Sequence, residues 1–165
     1  MALVSQNSKE YFRTLNILYI GLFGSQVIFG LAALYINLGN FIQPYESFAG
    51  ILMLLVPVLF MGAIVGGHVL QRRMLAKVKA ETSLMEKMTA YRSVFIMKMA
   101  LTEGASLLGI IAFVLTGNYI FIGISGLAIL YLFFLKPSIE RASRELDLSS
   151  ADRMKIENPA EIITE

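Results

Sequence analysis

Two stretches without any Asp, Glu, Lys or Arg constrain this chain more than any other feature. Thr14–Tyr45 and Gly104–Leu135 are each 32 residues long and carry no charged side chain. A helix needs roughly 20 apolar residues to cross the hydrocarbon core of a bilayer, so both runs are longer than one crossing requires. In the whole chain 56% of the residues are hydrophobic and 16% are charged, whereas about 25% are charged in soluble domains. The sequence therefore predicts a polytopic membrane protein.

Turn signals divide the apolar stretches into four predicted transmembrane helices, which makes the expected fold all-α. Asn37–Asn40 ends the first span, the cluster Gln71-Arg72-Arg73 ends the second, and Gly117-Asn118 separates the third from the fourth. Only 13 residues lie between Glu103 and Gly117, so the third span has to begin near Met97 to cross the bilayer. The predicted spans are residues 15–36, 48–70, 97–116 and 119–135.

The distribution of basic residues predicts the orientation of these spans. All 14 Lys and Arg residues fall ahead of the first span, between residues 72 and 98, or from residue 136 onward, and the two opposite loops contain none. Lys and Arg concentrate in cytoplasmic segments of membrane proteins. We therefore expect a multi-pass protein of the bacterial inner membrane with both termini in the cytoplasm, where its basic residues meet anionic lipid headgroups.

The remaining segments are expected to lie in the cytoplasm. Residues 71–98 contain no Gly or Pro and consist largely of good helix formers. The second and third helices should therefore extend as an antiparallel pair, with a turn near residues 81–83. Residues 1–136 form the predicted bundle, and residues 137–165 form a charged tail. In the tail we expect a short helix over Ser138–Leu146 and little fixed structure beyond Ser149.

The two halves of the chain resemble each other. Tyr11, Gly24-Ser25 and Gly39-Asn40 are matched by Tyr91, a Gly-Ala-Ser triplet at residues 104–106, and Gly117-Asn118 at nearly equal spacing. A tandem repeat would give two parallel helical hairpins related by an axis along the membrane normal. The alternative is that short outer turns favour Gly-Asn in any such protein.

The sequence lacks the signatures of common enzymes. It has no Cys and a single His, and no hydrolase, zinc-protease or nucleotide-binding motif is present. We therefore expect no enzymatic activity, no cofactor and no metal. Nucleic-acid binding is not expected either, because the basic residues flank apolar spans instead of lining a water-facing surface.

Glu103 is the sharpest functional candidate. The length of the third span places this carboxyl group within the membrane, and ionisable groups there often mark proton or ion sites. His68, near the cytoplasmic end of the second span, is a candidate relay partner. The alternatives are that Glu103 pairs with Lys98 and that His68 is an ordinary polar residue at the end of a span.

Glycines at helical spacing predict packing surfaces. Two of them form a GxxxG motif on the second span, and others lie on the third. Small residues at this spacing let helix backbones approach closely, either within one chain or between subunits. The predicted packing residues are Gly62, Gly66, Gly67, Gly104 and Gly109. Pro57 predicts a kink in the second helix, and Gln26 is expected to make an interhelical hydrogen bond.

The stretch that runs from Ala100 through Glu103 to Gly109 and the aliphatic residues after it resembles the carboxylate-bearing helix of rotary ATPase proteolipid (c-type) subunits. In that family an intramembrane Glu is followed six residues later by a Gly. The resemblance implies that Glu103 carries a proton or sodium ion in an oligomeric ring. As a whole, the chain resembles small four-span inner-membrane proteins of bacteria.

Two functional hypotheses follow. The first is a non-enzymatic oligomeric protein or accessory subunit of a membrane complex, which associates through its glycine-rich faces. The second is a small proton- or cation-coupled carrier that uses Glu103.

Overall fold

The computed structural model describes residues 6–42, 47, 49–79 and 83–164. Six helices account for nearly all of the regular structure in these residues. Two short strands, β1 (Gln6–Asn7) and β2 (Ile162–Thr164), form one antiparallel pair. The helices are α1 (Ser8–Leu38), α2 (Ala49–Lys79), α3 (Leu84–Thr116), α4 (Tyr119–Phe133), α5 (Ile139–Leu146) and α6 (Ser150–Glu157). The predicted all-α fold is confirmed.

Three of the helices are long and apolar enough to cross a membrane. They are α1, α2 and α3, with 31, 31 and 33 residues. The fourth predicted span corresponds to α4, which has 15 residues and is therefore about 22 Å long. The predicted turn near residues 81–83 lies largely outside the described residues, but α2 and α3 are helical up to Lys79 and from Leu84 onward.

Helices α1 and α3 end at the turns that the sequence predicted. α1 ends at Leu38, and Asn40 follows with a φ of 51°. Gly117, between α3 and α4, has a φ of 67°, a conformation that costs glycine little because it has no Cβ. The side chain of Asn118 accepts a hydrogen bond from the backbone N–H of Ile120 and so caps α4.

The chain divides into two compact units. One, called the charged unit here, comprises Met1–Ile20, His68–Met97 and Lys136–Glu165. The other, the apolar unit, comprises Gly21–Gly67 and Lys98–Leu135. The apolar unit has three charged residues in its sequence: Glu46, Lys98 and Glu103. All charged residues of the chain except these three therefore belong to the charged unit.

The apolar unit exposes large hydrophobic side chains on its outside. Its core is a cluster of small and aromatic residues that includes Ala33, Val56, Ala112 and Phe113. Its surface is equally hydrophobic: Leu54, for example, is 71% exposed. Soluble proteins rarely expose contiguous apolar patches of this kind, and large ones mark contact with lipid or protein.

The charged unit has a separate core in which the N-terminal and C-terminal segments meet. Tyr11 and Tyr91 are buried, and the Tyr11 hydroxyl donates to the carbonyl oxygen of Met88 over 2.7 Å. Burial raises the pKa of both tyrosine hydroxyls above the ordinary value. The hydroxyl of Ser8 donates to the carbonyl oxygen of Ile156, and β1 pairs with β2.

The C-terminal tail is more ordered than its composition predicted. The short helix expected at Ser138–Leu146 is confirmed as α5, with Ser138 as its N-cap. The expectation of little fixed structure beyond Ser149 is wrong, because Ser149 caps α6 and β2 follows. Ile156 and Ile163 are buried at 0% and 1% exposure, so apolar side chains anchor this charged segment in the charged unit.

These contacts predict that Ile156→Ala loosens the C-terminal segment. Truncating a buried Ile to Ala costs about 2–5 kcal/mol, and α6 has few other buried side chains. Hydrogen exchange should show a loss of protection of about this size in the α6 and β2 amides. Met154→Ala, on the same helix at 66% exposure, is the control and should leave protection unchanged. Equal protection in both variants would contradict the packing role of Ile156.

Candidate functional site

The predicted packing glycines fall into two groups. Gly62 and Gly66 of α2 and Gly104 of α3 are exposed, and a Cβ added at any of them would have no neighbouring atom within 4 Å among the described residues. These three glycines therefore leave open space at the surface of the apolar unit. Gly67 and Gly109 are buried, and they serve packing within the chain.

The exposed glycines contribute to a groove between α2 and α3. Its volume is about 350 Å³. The floor consists mainly of glycine and alanine, and two leucines complete the lining. The lining residues are Leu59, Gly62, Ala63, Ala100, Leu101, Gly104 and Ala105. Gly66 lies one helical turn after Gly62 on the same side of α2, so it extends the stripe of small residues beyond the groove.

The buried glycines bring side chains close to helix backbones. A Cβ at Gly67 would lie 3.4 Å from Cγ of Lys98. A Cβ at Gly109 would collide with Oγ of Ser125 and lie 3.2 Å from the carbonyl oxygen of Phe121. Only glycine at residue 109 therefore allows α4 to approach α3 this closely.

Lys98 is a buried cation in the apolar unit. Its side chain is 7% exposed, and Nζ lies 5.8 Å from the centroid of the Tyr131 ring. A cation at this distance from an aromatic ring is attracted by the ring quadrupole. The pairing of Lys98 with Glu103 stays an alternative, whereas the contact of Lys98 with Tyr131 was not foreseen.

Glu103 lies in α3 beside Gly104 of the groove and is half-buried. His68 is exposed and belongs to the charged unit, whereas Glu103 belongs to the apolar unit. A relay between His68 and Glu103 stays a prediction. Pro57 is half-buried within α2, which continues as a helix on both sides of it. A kink at Pro57 stays a prediction as well.

Buried polar residues form a second feature of the apolar unit. Lys98, Thr102 and Ser106 succeed one another at intervals of four along α3, and all three are buried. Ser125 of α4 and Gln26 of α1 are buried too. The interhelical hydrogen bond expected of Gln26 is not formed, because neither side-chain atom has a partner among the described residues. The spacing of four on α3 was the sequence signal for this polar face, since it places the residues on one side of a helix.

Comparisons with known proteins found no match. No family model matches the chain, and neither a curated protein nor a solved structure is similar to it. The resemblance of the third span to proteolipid subunits therefore stays a prediction.

The two groups of glycines predict opposite effects of an added methyl group. Gly109→Ala should destabilise the monomer by about 1–3 kcal/mol, because overpacking forces Ser125 or Phe121 to move. Gly104→Ala should be neutral or slightly stabilising in the monomer, because it meets no atom and alanine has the higher helix propensity. Unfolding free energies of monomeric protein in mixed micelles test this difference. A loss of stability in Gly104→Ala as large as in Gly109→Ala would contradict the grouping.

Proposed function

We propose that this chain is a non-enzymatic, multi-pass protein of a bacterial inner membrane that assembles with a second copy of itself. The groove formed by α2 and α3 supports the proposal most directly. Its glycines are exposed and have open space beside them. In a bilayer, helices associate through close van der Waals contact, for which small residues at this spacing are suited.

The shape of the groove favours a second copy over an unrelated partner. Leu59 and Leu101 are 45% and 40% exposed, and both lie beside a floor of glycine and alanine. A two-fold symmetric interface needs a surface that complements itself. Here the two leucines of each copy can pack against the glycines and alanines of the other copy, so both copies make the same contact.

The proposal includes four membrane spans with α4 as the shortest. α4 and the residues after it are free of charge up to Lys136, and Leu127, Leu130 and Phe133 are exposed. α1 with α2 and α3 with α4 then form two hairpins that run in the same direction. Both chain termini lie in the cytoplasm in this arrangement.

The charged unit is proposed to face anionic lipid headgroups of the cytoplasmic leaflet. Basic side chains near the ends of the spans are exposed, among them Arg13, Arg72, Arg73 and Lys136. Each Lys or Arg near an anionic surface contributes on the order of 1 kcal/mol to membrane attraction.

Leucine substitutions in the groove test self-association. Gly62→Leu and Gly104→Leu should each lower the association constant of the dimer in lipid bilayers by about tenfold or more, equivalent to about 1.4 kcal/mol. The larger side chains would occupy the space that the leucines of the second copy need. Gly123→Leu is the matched control, since Gly123 on α4 is also exposed with open space beside it. Single-molecule photobleaching at increasing dilution in lipid measures the dimer fraction. A wild-type chain that stays monomeric, or a Gly62→Leu variant that dimerises like wild type, would contradict the proposal.

A proton- or cation-coupled carrier is the second candidate function. The observation that favours it is Glu103, a half-buried carboxyl group within the apolar part of α3. Carboxyl groups in this position can bind and release ions.

Glu103→Gln tests the carrier function, because the amide keeps the size of the side chain and removes its charge. In liposomes, a carrier should show proton or sodium uptake that the variant loses while its dimer fraction stays at the wild-type value. Absence of uptake by the wild-type protein, or equal uptake by the variant, would contradict this candidate.

A further inference from the structure

Several polar side chains are buried inside the apolar unit, beneath its hydrophobic surface. Five polar or charged residues in this unit are buried, and four of them, Gln26, Thr102, Ser106 and Ser125, are 0% exposed. Lys98 is the fifth. In soluble proteins polar side chains are mostly exposed and large hydrophobic ones are mostly buried. Polar residues inside a membrane bundle are costly to bury and often mark a binding site or pathway.

Three helices surround Gln26 and Ser106. On α1, Gln26 lies between Phe23, whose ring is 6.2 Å from that of Phe133, and Gly30, where an added Cβ would lie 4.0 Å from Ile129. Gln26 therefore lies on the side of α1 that packs against α4. On α3, the carbonyl oxygen of Ser106 accepts a hydrogen bond of 3.0 Å from Ser125 of α4.

Gln26 and Ser106 are also each close to the same contact between α1 and α3. A second groove between α1 and α3 is lined by Phe29, Ala33, Ile110 and Val114, among others. Gln26 precedes the first α1 residue of this groove by three positions, and Ser106 precedes the first α3 residue by four. Each side chain is therefore about one helical turn from the same α1–α3 contact.

The polar atoms of these two side chains lack protein partners. Both the amide nitrogen and the amide oxygen of Gln26 are buried without a hydrogen bond to the described residues, and so is the hydroxyl of Ser106. The nearby hydroxyls are bonded to backbone carbonyl oxygens. The hydroxyl of Thr102 donates to the carbonyl oxygen of Lys98, and the single hydrogen of the Ser125 hydroxyl is shared between the carbonyl oxygens of Ser106 and Phe121. Burying an amide without partners is unfavourable, and a ligand at these groups would offset that cost.

The chemistry of the unsatisfied groups identifies the ligand. The amide of Gln26 offers two N–H donors and an acceptor, and the hydroxyl of Ser106 offers one donor and acceptor sites. A cation would satisfy the oxygens and leave the amide N–H groups unbonded, whereas an anion would do the reverse. Water donates and accepts, and a buried water molecule typically makes about three hydrogen bonds.

We propose that Gln26 of α1 and Ser106 of α3 hold bound water in a site enclosed by α1, α3 and α4. The water bridges two helices that are distant in sequence and offsets the cost of burying the amide. Ser106 lies three residues after Glu103, so the site also places a proton donor and acceptor within one helical turn of that carboxyl group. The site does not depend on self-association of the chain.

Water-edited solid-state NMR of the wild-type protein in bilayers tests this proposal. Magnetisation should pass from water to the Gln26 side-chain amide and to Ser106 several times more strongly than to Ala112 and Phe113. These two control residues lie on α3 as well and are 0% exposed. Transfer to Gln26 and Ser106 no greater than to the controls would overturn the proposal.

Two variants separate a bridging water from general hydration of the bundle. Gln26→Leu should reduce water transfer to Ser106 several-fold, because it removes the groups that bind the water from the other helix. Ser25→Ala, next to Gln26, should leave that transfer unchanged, because the Ser25 hydroxyl donates to the carbonyl oxygen of Leu22 within α1. If Gln26→Leu stays folded and its Ser106 signal is unchanged, the two residues do not share a site and the proposal is wrong.

Discussion

The hydrogen-bonding demand of the backbone is the constraint on which the rest of the structure depends. In hydrocarbon no water can bond to a free N–H or C=O group, so a chain that crosses it has to satisfy these groups internally. Helices of 31 to 33 residues meet this demand in α1, α2 and α3. The turn between α3 and α4 is correspondingly short, with glycine at its positive φ and an asparagine cap after it.

A lipid environment also explains how the helices pack. Lipid tails are as apolar as leucine, so burying leucine between helices gains little, and close contact and hydrogen bonds have to hold the helices together. Gly109 permits such contact with Ser125 inside the chain, where a hydrogen bond joins α4 to α3. On our proposal, Gly62 and Gly104 provide the same kind of contact between two copies.

The sequence predicted the helices well because each depends on local properties. The Gly117-Asn118 turn and the short helix near Ser138 each depend on a few neighbouring residues, and both appear in the structure at the expected positions. The order of the C-terminal tail was missed because it depends on contacts between distant residues, such as Ser8 with Ile156. Because composition is an average over a segment, a few isoleucines that become buried do not change the average of a mostly charged segment.

The candidate site was predicted less completely, because it also depends on contacts between residues that are distant in the sequence. Spacing identified the glycines, but it could not separate Gly109, which contacts α4, from Gly104, where an added Cβ would meet no atom of the described residues within 4 Å. That distinction depends on which neighbour each helix face meets. The buried face with Thr102 and Ser106 left a signal in its spacing of four, but the burial of Gln26 depends on the packing of α1.

We expect the hydrophobic surface of the apolar unit to face lipid and the charged unit to face water. Because the chain has no cysteine, single spin labels can be attached through Leu54→Cys and Met154→Cys, at residues that are 71% and 66% exposed. In bilayers, the label at residue 54 should be accessible to oxygen and shielded from a water-soluble nickel complex, and the label at residue 154 should show the opposite. Equal nickel accessibility at the two positions would contradict a lipid-facing apolar unit and a water-facing charged unit.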